Sequence, residues 1–239
     1  MTRFVGKTTL LLVSLSLLFV RSVSTTQGQT PTLATPEATW SCATAVSLAT
    51  PETGHMGMDM ATPGATDVNM GMAFELDQMY IDMMIAHHAS VIALANAALP
   101  RLTDARLITI AEAIVSAQSD EITELRNYRE AFYGSPEPLP MDEHMMSMMM
   151  VAMPGMGSGD DMMFQMDAEA QVRAFCASAN PDLTFIDQVI PHHEMAVKSS
   201  EVVATNAVHP EIRDFAKRVI DAQTAEIAEL EMIRADLVG

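Results

Sequence analysis

Apolar positions fall into distinct patterns along this chain, and each pattern predicts a different kind of segment. The first is a run from Leu10 to Val20, broken only by Ser14 and Ser16, behind the basic residues Arg3 and Lys7. Small residues follow at Ser22, Val23 and Ser24. A basic start, a short apolar run and a small-residue site describe a cleavable secretion signal, and the run is short for a bilayer span. Residues 1–24 are assigned to it. Residues 25–72 lose all periodicity and are rich in Thr, Pro, Ala and Gly, which predicts a flexible tail. Residues 73–133 and 168–239 carry apolar residues at helical spacing, as in Leu107, Ala111, Ile114 and again in Ile212, Ala216, Val219. Between them, residues 134–167 form a linker broken by Pro136, Pro138, Pro140 and Pro154. No later stretch is expected to span a membrane.

The two periodic regions repeat one another. Asp77-Gln-Met-Tyr80-Ile-Asp82-Met-Met-Ile-Ala-His87-His88 aligns without a gap on Asp182-Leu-Thr-Phe185-Ile-Asp187-Gln-Val-Ile-Pro-His192-His193, at an offset of 192 − 87 = 105 residues. The same offset places Gln118, Glu121 and Leu125 on Gln223, Glu226 and Leu230. Each unit reads as two helices and a short turn. Asn180 and Pro181 suit a cap and first helical position, Thr103 or Asp104 a cap, and Pro210 the start of the last helix. A single amphipathic hairpin cannot bury its own stripe, so the fold class is all-α. The expected architecture is an antiparallel four-helix bundle of two hairpins, 73–98 with 104–131 and 180–205 with 209–236, carrying a disordered N-terminal tail and a Met-rich linker.

Charge and composition narrow the function. The formal net charge is −18, with no Lys/Arg cluster, which excludes nucleic acid as a partner. Cys42 and Cys176 are the two cysteines; in an oxidising compartment they are disulfide candidates, with two separately used thiols as the alternative. The signatures of di-iron enzymes, phosphate loops and zinc proteases are missing, so no catalytic residue is assigned.

What remains is a metal-ligand chemistry. His87 and His88 recur as His192 and His193, with Met83, Met84 and Met195 close by. The chain holds 22 methionines, clustered in His55-Met56-Gly57-Met58-Asp59-Met60 and His144-Met145-Met146-Ser147-Met148-Met149-Met150. Imidazole with thioether suits borderline and soft ions, copper first and silver second. The Met clusters lie among Gly, Pro, Asp and Ser, where little core is expected. Asp77, Asp82, Gln118 and Glu121, with Asp182, Asp187, Gln223 and Glu226, are the polar groups on the core stripes and the candidates for orienting the imidazoles.

The paired motifs built on Asp77, Tyr80, Asp82, Met83, Met84, His87, His88, Gln118 and Glu121, and on Asp182, Phe185, Asp187, Pro191, His192, His193, Gln223 and Glu226, resemble the bacterial family known as domain of unknown function 305, a ferritin-like helical group. The resemblance implies an exported helical bundle, placed in the periplasm, cell envelope or outside the cell, with relatives that bind copper or silver and aid metal tolerance. This chain has Leu94 and Ser199 where the family commonly has Met, and Val189 where Met84 stands in the first unit. The expected function is copper sequestration or tolerance, with metal ions as partners. Two other readings fit the same residues: a copper-dependent redox enzyme, and a packing or interaction module that uses no metal.

Overall fold

A computed structural model describes residues 41–45 and 72–239, and every described element is helical. The elements are α1 (Cys42–Ala45), α2 (Met72–Ala98), α3 (Ala105–Tyr133), α4 (Glu143–Ala152), α5 (Gly159–Met166), α6 (Ala168–Cys176), α7 (Pro181–Asn206) and α8 (Pro210–Val238). Four of them are long. Helix α2 packs on α3 and α7, and α7 packs on α8.

Local chemistry explains where these helices stop and start. Asp104 caps α3 by accepting from the Arg106 N–H, and Asn180 caps α7 through the Leu183 N–H with Pro181 behind it. Gly134 ends α3 in the left-handed conformation at φ 77°, its N–H donating to the Glu130 carbonyl.

Two aspartates then tie the hairpins together. Asp77 on α2 accepts from the backbone N–H groups of Val208 and His209, at the start of α8. Asp182 on α7 accepts from those of Thr103 and Asp104, at the start of α3. Each carboxylate thus neutralises the positive end of a helix in the other half.

Three findings differ from the sequence reading. Residues 134–167 are not an unstructured linker: α4 follows Pro140, and Pro154 lies in the turn between α4 and α5. On α4, Met146 and Met149 recur at helical spacing, with Met153 at its C-cap, and all three are buried, together with Met156 and Met162 beyond it. They join Met79, Met83, Met84 and Met195 in one apolar cluster. Second, α6 is a separate short helix ahead of the second hairpin, joined to α1 by the Cys42–Cys176 disulfide. Third, Leu76–Ala98 is long and apolar enough to cross a membrane, contrary to the expectation that nothing beyond the signal would be. It owes that composition to its position: 78% of its most apolar window is buried inside the fold, with protein on several sides.

The core divides into two parts. The methionine cluster takes in the first half of α2, the later part of α7 and the start of α8. The second cluster holds Val91, Leu94, Leu107, Ile114, Phe175, Phe185, Val189 and Leu230, and no buried methionine. Along both α2 and α7, the histidine pair lies at the junction of the two.

Candidate metal centre

His87 and His88 on α2, and His192 and His193 on α7, have no solvent exposure. The His87 and His192 rings stack with centroids 3.5 Å apart and planes inclined by 30°. His88 lies 6.1 Å from His87, and His193 lies 6.0 Å from His192, as expected for successive helical positions pointing about 100° apart.

The contacts of the inner pair fix its tautomers. His87 Nε2 lies 3.0 Å from the His192 carbonyl, and His192 Nε2 lies 3.0 Å from the His87 carbonyl. A carbonyl only accepts, so each Nε2 carries the proton and each Nδ1 keeps its lone pair. On the outer pair, His193 Nε2 is hydrogen-bonded to Glu226 at 2.7 Å. His88 Nε2 lies 2.8 Å from Glu121 but is not aligned for a hydrogen bond. The Nδ1 atoms of all four histidines are buried with no hydrogen-bond partner. An unsatisfied buried polar atom costs about 1–3 kcal/mol, and four of them on two adjoining His pairs mark an arrangement that packing alone does not favour. An imidazole with one nitrogen held by a carbonyl or carboxylate and the other left as a lone pair is how proteins present histidine to a metal.

Burial holds His87 and His192 neutral. Desolvation is the main cause, and it lowers both pKa values well below the ordinary 6.5; the next contribution comes from His88 for His87, and from His87 for His192. Below about pH 6.5 the unfolded chain therefore takes up protons that the folded chain refuses, and stability falls as the pH drops. Above that value these two groups contribute no pH dependence. Denaturant midpoints of the metal-free protein should be level from about pH 8 to 7 and then decline. In the His87→Gln/His192→Gln variant, the decline between about pH 6.5 and 5 should be shallower. An equal slope in both proteins would exclude these histidines as its source.

Several candidate residues lie elsewhere than the sequence suggested. None of the four aspartates orients a member of the histidine quartet. Asp77 and Asp182 cap helices, Asp82 pairs with the buried Arg129, and Asp187 pairs with Arg234 at the surface. The reason is helical rise: at 1.5 Å per residue, positions five to eleven residues before the histidines are too far along the axis. Glu121 and Glu226 do meet the outer imidazoles. Gln118 and Gln223 are buried one turn away, with the Oε1 of both and the Nε2 of Gln223 unpartnered.

Met83, Met84 and Met195 are buried beside the histidines in sequence. On α4, Met145 and Met148 are half-buried, while His144 and Met150 are exposed. The segment with His55, Met56, Met58 and Met60 lies outside the described residues. Among the described residues, no three His, Cys, Asp or Glu side chains converge as a ready-made cage.

A polar cluster that sequence reasoning missed closes one side of the inner pair. Ser90 Oγ lies 3.0 Å from His192 Nε2, donates to the Gln165 carbonyl at 2.6 Å, and receives the Gln171 amide at 3.2 Å. Its counterpart one repeat later is Met195, and that break in the repeat was the available signal.

A family profile described as "Domain of unknown function (DUF305)" matches residues 77–234. No curated protein matches. Among solved structures, CopM in the Cu(I)-bound form is similar, at 27% identity and a TM-score of 0.53, over 68% of this chain and 98% of that one. CopM in the Ag-bound form, obtained by co-crystallization, gives 28% identity and a TM-score of 0.53 over the same shares. CopM in the Cu(II)-bound form gives 27% and 0.51, over 67% of this chain and 97% of that one.

Proposed function

The chain belongs to the DUF305 family, and from that premise we propose that it is an extracytoplasmic copper-binding protein that sequesters copper, with silver as a second ion it accepts. The observation that carries this reading is that the Nδ1 atoms of His87, His88, His192 and His193 are all buried without a hydrogen-bond partner. The similarity to CopM with copper and silver bound supports it from outside the chain.

Two donor classes meet at the centre of the fold. The imidazoles are borderline donors that take Cu(II) and Cu(I). The thioethers of Met83, Met84 and Met195, and of Met146 and Met149 in the same cluster, are soft donors for Cu(I) and Ag(I). Both cysteines are joined to each other, so no thiol competes for the ion. The signal-like residues 1–24 and the disulfide both favour a place outside the reducing cytoplasm.

The test is a titration with Cu(I) against a competing chelator, run on the whole chain and on a variant with Met145, Met146, Met148, Met149 and Met150 changed to Leu. Leucine keeps the volume at under about 1.5 kcal/mol per swap but deletes the sulfur. Cu(I) and Ag(I) capacity should fall in the variant while helicity and Cu(II) binding at the histidines persist. Unchanged Cu(I) capacity would remove α4 from the metal chemistry. Failure of the parent chain to compete for either ion would end the copper reading itself.

A further inference from the structure

The four imidazoles are sealed from water, so an ion that reaches them needs a route, and the structure offers two. His87 and His192 turn their Nε2 atoms to each other's backbone carbonyls, and the Ser90–Gln165–Gln171 cluster covers one side of them. The outer pair differs. His88 and His193 each touch a glutamate whose side chain reaches solvent: Glu121 at 22% exposure, 2.8 Å from His88 Nε2, and Glu226 at 25%, 2.7 Å from His193 Nε2. One helical turn from each glutamate, the Gln118 and Gln223 carboxamides lie buried with their carbonyl oxygens unpartnered. Nothing in the packing of α3 or α8 calls for an unsatisfied amide at these positions. A cation or a water moving inward does, because a carbonyl oxygen replaces part of its hydration shell.

We propose that Glu121 and Glu226 are two equivalent gates through which metal ions pass to and from the buried histidines. The inference rests on the copper-binding reading above and adds the route. In each gate the carboxylate collects a cation at the rim, within the field of a strongly acidic protein. The cation displaces the imidazole from the carboxylate, the Gln carbonyl steadies it, and it passes to the buried Nδ1. The ring then returns to the glutamate and closes the route. No bond order or oxidation state changes in these steps. Glu121 and Glu226 are positioning residues, and the histidines remain the ligands.

The experiment separates rate from capacity. The full chain and its Glu121→Gln/Glu226→Gln variant are loaded with Cu(I), and release to an excess of a coloured chelator is followed by stopped flow. Uptake is followed in the reverse direction. The double variant should hold as much copper at equilibrium yet exchange it at least about tenfold more slowly, the scale on which a focused charge changes association rates. Either single variant, with one gate intact, should keep about half the rate of the parent. Added salt should slow uptake by the parent and leave the double variant nearly indifferent. Glu121→Asp/Glu226→Asp, which keeps the charges, should recover part of the lost rate if the double variant's circular dichroism matches the parent's. Exchange by the double variant at the parent's rate would overturn the gates. So would a loss of bound copper in it, which would make the glutamates part of the site itself. If the parent chain takes up no Cu(I), the function reading fails first and the gates fall with it.

Discussion

Replacing Arg129 with alanine is expected to destabilise the fold by about 3–5 kcal/mol, while the same change at Arg234 should alter it by less than about 1 kcal/mol. The two arginines are counterparts in the repeat. Each reaches an aspartate 47 residues earlier, Arg129 to Asp82 and Arg234 to Asp187. The first pair is buried, with side chains 4% and 0% exposed; the second is half in water, at 51% and 52%. The difference comes from residues 135–139, which lie over the first pair and contribute the Ser135 carbonyl to Arg129 and the Leu139 backbone N–H to Asp82. Burial raises the Asp82 pKa, and the Arg129 hydrogen bond works against that rise. Without Arg129 the carboxyl group would sit unpaired in the core, which is the expensive state. Thermal melts should show a drop of roughly 10 °C for Arg129→Ala and almost none for Arg234→Ala. Asp82→Leu combined with Arg129→Met should restore most of the loss, since an apolar pair of similar volume replaces a buried ion pair at little net cost. Equal shifts in the two single variants would refute the argument.

Changing His87, His88, His192 and His193 together to glutamine should remove Cu(II) binding from the centre of the fold. Glutamine is the informative choice, because its amide keeps a donor near the position of Nε2 and has no counterpart to Nδ1. The hydrogen bonds to the two backbone carbonyls and to Glu226 can persist while the four buried Nδ1 atoms disappear. The loss in affinity should exceed the roughly 10–100-fold that contacts behind a ligand carry. Isothermal titration with Cu(II), beside circular dichroism to establish folding, provides the measurement. A folded variant that retains the parent's affinity would show that the histidines are packing groups. Changing His87 and His192 alone should weaken binding without abolishing it, because His88 and His193 keep their own glutamates.

The sequence shows the helices clearly and the roles of their polar residues much less so. Hydrophobic period, Asn180-Pro181, Asp104 and Pro210 fixed the long helices nearly to the residue, because caps and prolines act locally. The histidine quartet was legible from the repeated pairs, and Glu121 and Glu226 from their place on the core stripe. Asp82 and Asp187 look identical in the motif, and only the segment that covers one of them makes Arg129–Asp82 a buried pair. The methionines of α4 are hard to place from sequence for a related reason. A run of one residue type has no polar partner positions to reveal which face turns inward, so Met146 and Met149 could not be told from the exposed Met150.

The inner donors carry no charge of their own: His87 and His192, which burial keeps from a second proton, and the thioethers of the neighbouring cluster, with the carboxylates of Glu121 and Glu226 at the rim. The cost of moving an ion out of water rises with the square of its charge, and neither the inner imidazoles nor the thioethers bring an anion to offset it. A monovalent ion therefore enters this interior with far less of its hydration energy to replace than a divalent one of similar radius. By the same reasoning, an occupant that changed from Cu(I) to Cu(II) would gain charge in surroundings that do not welcome it. On the copper-binding reading proposed above, the inner pair and its thioethers would favour the reduced ion and raise its reduction potential, leaving Cu(II) to rely on the outer imidazoles and their glutamates.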